Sequence, residues 1–373
     1  MRLSNVFQLG IKELRSIGRD RTMLILIVYA FSVAIYVAAS SMPDSLNRAP
    51  IAIIDEDRSP LSQRITDAFY LPYFVPPKLI GSSEMDARMD AGLDTFALDI
   101  PPNFQRDVLA GRQPAIQLNV DATRMTQAFT GTSYVQTIVS DEVEAFVQRY
   151  RDDAPLAIDL VPRIRFNAEL NKSWFGSIME IINNVTLLSI VLTGAALIRE
   201  REHGTIEHLL VMPVTPAEIM VSKVWAMGLI VLAATAFSLV VVVQGLLDVP
   251  IQGSVPLFLA GAALEIFAST ALGILLGTVS RSMPQFGLLL ILILLPMEML
   301  SGAMTPRESM PGFVQMVMLA APNTHFVLLA QAILFRGAGL AVVWPQFLSL
   351  AAIGAVLFTI SLLRFRSSIS TMT

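Results

Sequence analysis

Six blocks of apolar residues punctuate the chain, at 23–40, 178–198, 224–247, 256–279, 285–304 and 347–363. A helix needs about 20 such residues to cross the hydrocarbon of a bilayer, so each block predicts a span. Residues 41–177 follow a different rhythm. Short alternating runs predict strands at 50–57, 94–101, 115–122 and 162–170, and amphipathic stretches predict helices from Ser59, at 103–111 and at 125–150. Strands interleaved with helices imply a small open sheet covered by helices. The expected fold is therefore an α-helical membrane protein of six transmembrane helices, with an α/β domain inserted between spans one and two. Five spans then follow in 178–373. The stretch 305–345 holds two apolar segments too short to cross, separated by Pro322, and reads as re-entrant or surface helices packed on protein.

Residues 1–22 carry their own pattern. Leu3, Phe7, Ile11 with Gly10, Leu14 and Ile17 form one stripe, with Arg2, Gln8, Lys12, Arg15 and Arg19 elsewhere. That predicts an amphipathic helix lying on the membrane surface. The string after the first block, "YVAASSMP", resembles a leader-peptide cleavage site, but a discarded leader needs no such stripe.

Charge sets the expected orientation. Arg2, Lys12, Arg15, Arg19, Arg21, Arg199, Arg201, Lys223, Arg281, Arg364 and Arg366 fall on one side of the spans, against Arg307 and Arg336 in the opposite short connections. The side rich in Lys and Arg is cytoplasmic, which puts both termini inside and the α/β domain outside. All three tryptophans, Trp174, Trp225 and Trp344, fall at predicted span ends.

Several chemistries are excluded. A net charge of −4 argues against a general nucleic-acid binder, and the absence of cysteine removes disulfides and thiolate metal sites. There is no GxxxxGK[ST] loop for a nucleotide. His203 and His208 lack the spacing of a zinc motif, and no Ser-His-Asp grouping is visible. Asp55, Glu56 and Asp57 could bind a divalent cation, but they read better as a solvated turn at a strand end. No catalytic residue, metal site or bound cofactor is expected on this chain.

The segment 199–213 holds the most specific signal. "REREHGTIEHLLVMP" is densely charged at its start, places Ile206, Leu209 and Leu210 on one side, and stops at Pro213. Thr215, Pro216 and Glu218 then form a capping box with proline at the first helical position, opening a helix that runs into the third span. The result is a short docking helix between two spans. "EREHGTIEHLLVMPVTPAEIMVSK" resembles the signature of ABC-2 type exporter permeases, E-x-E-x-G-T-x-E-x-L-x-x-x-P, matched by Glu200, Glu202, Gly204, Thr205, Glu207, Leu209 and Pro213. The N-terminal helix, the large outer domain and "PRESMP" at 306–311 resemble the large-ectodomain, multidrug-permease branch of that family. The resemblance implies that 199–213 is the coupling helix seated in an ATPase subunit, through these residues with Ile206 and Leu210, and that Arg281 makes a second, smaller contact. It further implies a bacterial inner membrane, a periplasmic α/β domain, two ATPase subunits carrying ATP and Mg, a second permease (identical or sibling), a periplasmic adaptor as a further partner, and contact with membrane lipids.

Two acidic residues lie inside spans. At 1.5 Å per residue, Glu265 is about 14 Å and Glu298 about 10 Å below the outer edge. With Glu180 and Gln244 near the outer mouth they are candidates to line a translocation pathway, against structural hydrogen bonding between spans. Gly273 and Gly277 form a GxxxG packing face in span four. Two function classes follow. One is an exporter permease moving an amphipathic drug or lipid-like molecule. The other is a non-transporting receptor or scaffold whose outer domain binds a ligand or partner.

Overall fold

The computed structural model describes residues 2–41, 46, 48–121, 125–150, 172–202, 214–303 and 307–370. They form two compact units: Met1–Met42 with Ile164–Thr373, and Pro43–Arg163.

The first unit is helical. An N-terminal helix (Leu3–Arg19) stops at Asp20, whose side chain caps the next helix by accepting from Met23 N at 3.1 Å. Among the described residues, five helices are long and apolar enough to cross a membrane: Arg21–Ser40, Ser173–Glu202, Pro216–Leu246, Val255–Val279 and Leu340–Ser367. They are called here the first, second, third, fourth and last spans. The second is the hub. Its apolar window is 83% buried inside the unit, against 28% for the first span and 17% for the last. It packs on the first, third and fourth spans, and Phe31, Ile35, Ile182, Val185, Phe258 and Phe326 fill the space between them.

Spans two and four meet through small residues. A methyl group added at Gly273 would sit 2.6 Å from the Ile190 carbonyl oxygen, and one at Gly277 would sit 3.2 Å from that of Gly194. The glycines therefore let the two backbones touch, which is how apolar helices gain dispersion contact where no hydrophobic driving force separates protein from lipid.

The fifth expected span, 285–304, is shorter than its apolar composition suggests. Its helix is Met283–Met299, 17 residues with Pro296 inside, and it ends in a turn at Gly302 with φ +95°. At 1.5 Å per residue it spans about 25 Å, short of the roughly 30 Å hydrocarbon. The 305–345 stretch contains the expected break. Gly312–Met318 and Pro322–Phe335 meet at 90°, as a broken span or a re-entrant loop. The last helix then begins at Leu340, earlier than the apolar block 347–363 indicates.

The second unit is a four-stranded sheet in the order β2-β1-β3-β4: β1 Ile51–Asp55, β2 Lys78–Leu79, β3 Phe96–Ile100 and β4 Gln117–Val120. β1 runs parallel to β2 and β3, and β4 is antiparallel to β3. Three of the expected strands appear; the fourth, at 162–170, lies outside the described residues. β2 has only two exposed residues, too little for a periodic signal. Helix Pro60–Asp67 starts at Ser59 with a capping box completed by Ser62. It is tied to helix Met125–Tyr150 by Arg64, whose Nη2 lies 2.8 Å from Glu142 Oε2. Phe69, Phe74, Phe96 and Phe104 dominate the core.

The glycine contact is testable. Gly273→Ala forces the fourth span off Ile190 and is expected to destabilise the unit by about 1–3 kcal/mol, the usual penalty of overpacking. Gly287→Ala, where a methyl group meets nothing within 4 Å, is expected to be neutral or slightly stabilising. Thermal unfolding of the two purified variants distinguishes them.

Candidate functional site

The N-terminal helix is docked on the bundle. Val6, Gly10, Glu13 and Ile17 form its buried face, spaced four, three and four residues apart as one helical stripe requires. The expected apolar stripe is therefore divided. Ile17 goes inward, while Leu3 and Phe7 remain 79% and 60% exposed. Trp225 of the third span fixes the contact: its Nε1 donates to Val6 O at 3.2 Å, and its ring stacks on Phe7 at 5.9 Å. A methyl group at Gly10 would lie 2.0 Å from that ring, so only glycine admits it. At the start of the third span, Thr215 and Glu218 make the expected capping box, and Glu218 also accepts from the backbone N of Arg2.

Glu13 is the acid on this buried face, and its partner is Lys223, 1% exposed. Lys223 Nζ lies 2.9 Å from Glu13 Oε1 and 2.8 Å from Glu200 Oε2, and Lys12 Nζ lies 3.3 Å from Glu200 Oε1. Four charges of alternating sign thus join the N-terminal helix, the end of the second span and the start of the third. Buried charges persist only when paired in this way.

The neighbours of Glu200 repeat the device. Arg199 Nη1 pairs with Asp20 Oδ2 at 2.8 Å. Arg201 Nη1 donates to Ser280 O at 2.6 Å, in the turn after the fourth span. Glu202 Oε1 accepts from Met283 N at 3.3 Å, at the start of the short helix. Four consecutive side chains therefore hold different elements, and the chain leaves for 203–213 from a braced point. Of the expected docking residues, Glu200 is turned inward into the charge cluster and Glu202 lies on the exposed surface. Gly204, Thr205, Ile206, Glu207, Leu209, Leu210 and Pro213 lie outside the described residues. Arg281 is exposed, and its backbone N donates to Gln285 Oε1 at 2.7 Å.

A second polar group lies within the bundle. Glu265 is fully buried; its Oε1 accepts from Ser269 Oγ at 2.7 Å and Thr186 Oγ1 at 3.1 Å. Thr186 Oγ1 is 3.4 Å from Asn323 Oδ1, and Asn323 Nδ2 reaches Met297 O at 3.5 Å. Glu180 Oε1 accepts from Asn184 Nδ2 at 3.3 Å, and the same amide donates to Ala30 O at 2.8 Å, within a π-helical stretch of the first span. Glu298 is half-buried. The structure thus links Glu265 to the residue beside Glu298 through Thr186 and Asn323. Gln244, half-buried in the π-helical end of the third span, has no recorded bond to this group.

In the α/β unit, Asp55 accepts from Arg58 N at 2.8 Å and Ser62 Oγ at 2.8 Å, while Asp57 accepts from Gln105 N at 3.0 Å. These acids are occupied in closing the turn. Among the described residues no group of three or more His, Cys, Asp or Glu could hold a metal.

Sequence reasoning missed Glu13, Asp20, Thr186 and Asn323. The one available signal was Glu13 itself, a charge on a face otherwise made of Val6, Gly10 and Ile17.

The family described as "ABC-2 family transporter protein" matches residues 21–363. The chain is 63% identical over 370 residues to the "Inner membrane transport permease YhhJ" of Escherichia coli (strain K12), covering 99% of both chains. It is 27% identical to the "Probable multidrug ABC transporter permease YbhR" of the same organism over 366 residues, covering 96% of this chain and 97% of that one. To "YbhS", of the same description, it is 26% identical over 339 residues, 88% of each chain.

Two measurements check the brace. Lys223→Ala strands Glu13, leaves Glu200 only the exposed Lys12, and is expected to cost about 3–5 kcal/mol. The triple variant Glu13→Gln, Glu200→Gln, Lys223→Met removes the three buried or half-buried charges, leaving only the exposed Lys12, and is expected to cost less than Lys223→Ala alone; equal or additive losses in thermal unfolding contradict the coupling. The second concerns pH. The Met23 backbone N–H, with Arg199 beside it, holds the Asp20 carboxyl below its ordinary value of 3.8. A lowered folded value means that the ion pair stabilises above the unfolded pKa and that this advantage is lost as pH falls through the folded one. The amide of an Asp20→Asn variant still caps the helix but carries no charge. Wild type is therefore expected to exceed that variant in unfolding temperature at neutral pH and to converge with it in acid.

Proposed function

The chain belongs to the ABC-2 family of transporter proteins, and from that membership we propose that it is the permease of an ATP-driven exporter. Two copies of a separate ATPase subunit, which carry ATP and Mg, drive two permeases: this chain and an identical or sibling one. The substrate is an amphipathic drug or lipid-like molecule, moved outward across the bacterial inner membrane or passed to a periplasmic adaptor. Both termini are cytoplasmic and the α/β unit is periplasmic, a reading supported by the excess of Lys and Arg on one side of the spans. The chain itself carries out no hydrolysis.

The observation that carries this reading is the fourfold anchorage of Arg199, Glu200, Arg201 and Glu202 at the foot of the second span. A segment that only joins two spans needs no such brace, whereas a segment pushed by a partner does. In the proposed cycle, ATP binding closes the ATPase pair and displaces 203–213. The brace passes this displacement to the second and third spans and, through Lys223 and Glu13, to the N-terminal helix. Gly204, Thr205, Ile206, Glu207, Leu209, Leu210 and Pro213 serve docking, with Arg281 as a lesser contact. Glu200 and Glu202 serve transmission. Glu180, Glu265 and Glu298 line the path, with Gln244 at its rim.

Docking and transmission separate experimentally. In detergent the chain is expected to co-purify with an ATPase. Leu209→Ala with Leu210→Ala is expected to release most of that ATPase. Lys223→Met with Glu13→Gln is expected to retain it while lowering transport by about tenfold or more, a loss of roughly 1.4 kcal/mol in coupling. A chain that purifies alone, or whose transport is indifferent to both changes, counts against the exporter reading.

A further inference from the structure

The two polar groups of the helical unit have opposite electrostatic character. At the foot of the bundle the buried and half-buried acids Glu13, Glu200 and Asp20 have bases, Lys223 for the first two, Lys12 also for Glu200 and Arg199 for Asp20, while Glu202 and Glu218 accept from backbone N–H groups. Around Glu180 and Glu298, among the described residues, there is no ion pair at all. Neither half-buried carboxyl has a cationic partner among the described residues. Carboxyls at membrane depth are costly and are kept where they meet a partner or a wet cavity.

Hydrogen-bond accounting sharpens this. The neutral amide of Asn184, already shared with Ala30 O, is the one recorded donor to Glu180. The Glu298 side chain has none among the described residues. Asn183 Oδ1, one helical turn from Glu180, is buried without a partner, and so is Oε2 of the fully buried Glu265. Glu265 belongs to the same group through Thr186 and Asn323, which reach Met297 beside Glu298. The single Thr186 hydroxyl proton faces three acceptors: Ile182 O, Glu265 Oε1 and Asn323 Oδ1. The stripe therefore has an excess of acceptors, and its carboxyls, once ionised, have no countercharge among the described residues. The complementary ligand is all donor and cationic. A protonated amine meets both conditions, with N–H groups and no acceptor. A quaternary ammonium supplies charge but no donor, an anion is repelled, and a neutral molecule leaves the carboxyls uncompensated.

We propose that Glu180 and Glu298 receive the protonated amine of an amphipathic substrate, with Asn183 and Glu265 as the further acceptors along its route. The proposal rests on the permease reading and adds a substrate class to it. The apolar spans around the stripe take the rest of the molecule.

The test is binding to the purified full-length chain in lipid nanodiscs, without ATPase. The probe is monodansylcadaverine, a fluorescent primary amine on an apolar body. The comparisons are its N-acetylated neutral form and its N,N,N-trimethyl form. Charge-assisted hydrogen bonds predict that the amine binds about tenfold or more tighter than the acetylated form, with the trimethyl form between them. Glu180→Gln with Glu298→Gln, isosteric and checked for a monodisperse elution profile, is expected to remove that preference. Equal binding of amine and neutral forms overturns the proposal in the wild-type chain, with no variant needed. So does a lack of amine binding, or a preference that survives the double change. Because no ATPase is present, failure of the exporter reading appears separately, as an absent ATPase partner or absent transport, and leaves this result standing.

Discussion

A lysine with 1% of its surface exposed sets the geometry of this protein's helical unit. Lys223 opens an otherwise apolar span, and removing it from water is tolerable only with counter-charges at contact distance. The third span offers no acid that answers it. Glu13 comes from a helix 210 residues away in sequence, and Glu200 from the far end of another span. Satisfying one charge therefore fixes three segments together. The remaining contacts follow from that convergence: Trp225 over Gly10, Glu218 against the N-terminus of the first helix, and Arg199 on the Asp20 cap.

The same constraint, left unsatisfied, marks the other polar region. Glu180, Glu265 and Glu298 also sit among apolar helices, but among the described residues an amide meets Glu180, hydroxyls meet Glu265 and no side chain meets the Glu298 carboxyl. A sequence that gives Glu13, Glu200 and Asp20 bases at one end of the bundle, and leaves three intramembrane acids without one among the described residues, has divided its charged residues by role. The paired set gives a fixed geometry. The unpaired set retains capacity for something that is not part of the chain.

Much of this architecture was legible beforehand, and the reasons are local. Apolar runs locate spans because the bilayer demands length and hydrophobicity together, and the Thr215 and Ser59 caps are readable because the whole motif lies within four residues. What failed to show was non-local or subthreshold. Met283–Met299 has the composition of a span but not the length, since the apolar run continues past the point where the helix ends. The N-terminal stripe gave the helix but not which flank would be covered, because Leu3 and Phe7 are as apolar as the Val6 and Ile17 that are buried. The pairing of Glu13 with Lys223 has no periodic signature. It could be suspected only from a charge on an inward face, and its partner could not be chosen without the fold.

The two polar regions share one rigid element. Glu180 and Glu200 lie on the same second-span helix, about 30 Å apart at 1.5 Å per residue. Ile190, where Gly273 allows the fourth span to touch backbone to backbone, lies midway between them. Around that contact Ile190 packs with Leu272, Leu276 and Phe286, so the helix is held near its middle and its charged residues lie toward the ends. Under the exporter mechanism proposed above, a push at the braced end tilts the helix about that contact and carries Glu180 the opposite way. Glu298 stands on a helix whose first residue is held by Glu202, so it is drawn with the braced end rather than against it. The spacing of the two carboxyls, and with it their hold on a bound cation, then changes with the state of the partner at the foot of the bundle. A single rod with a central pivot and charged residues at both ends is sufficient to couple the two sites, with no relay of side chains between them.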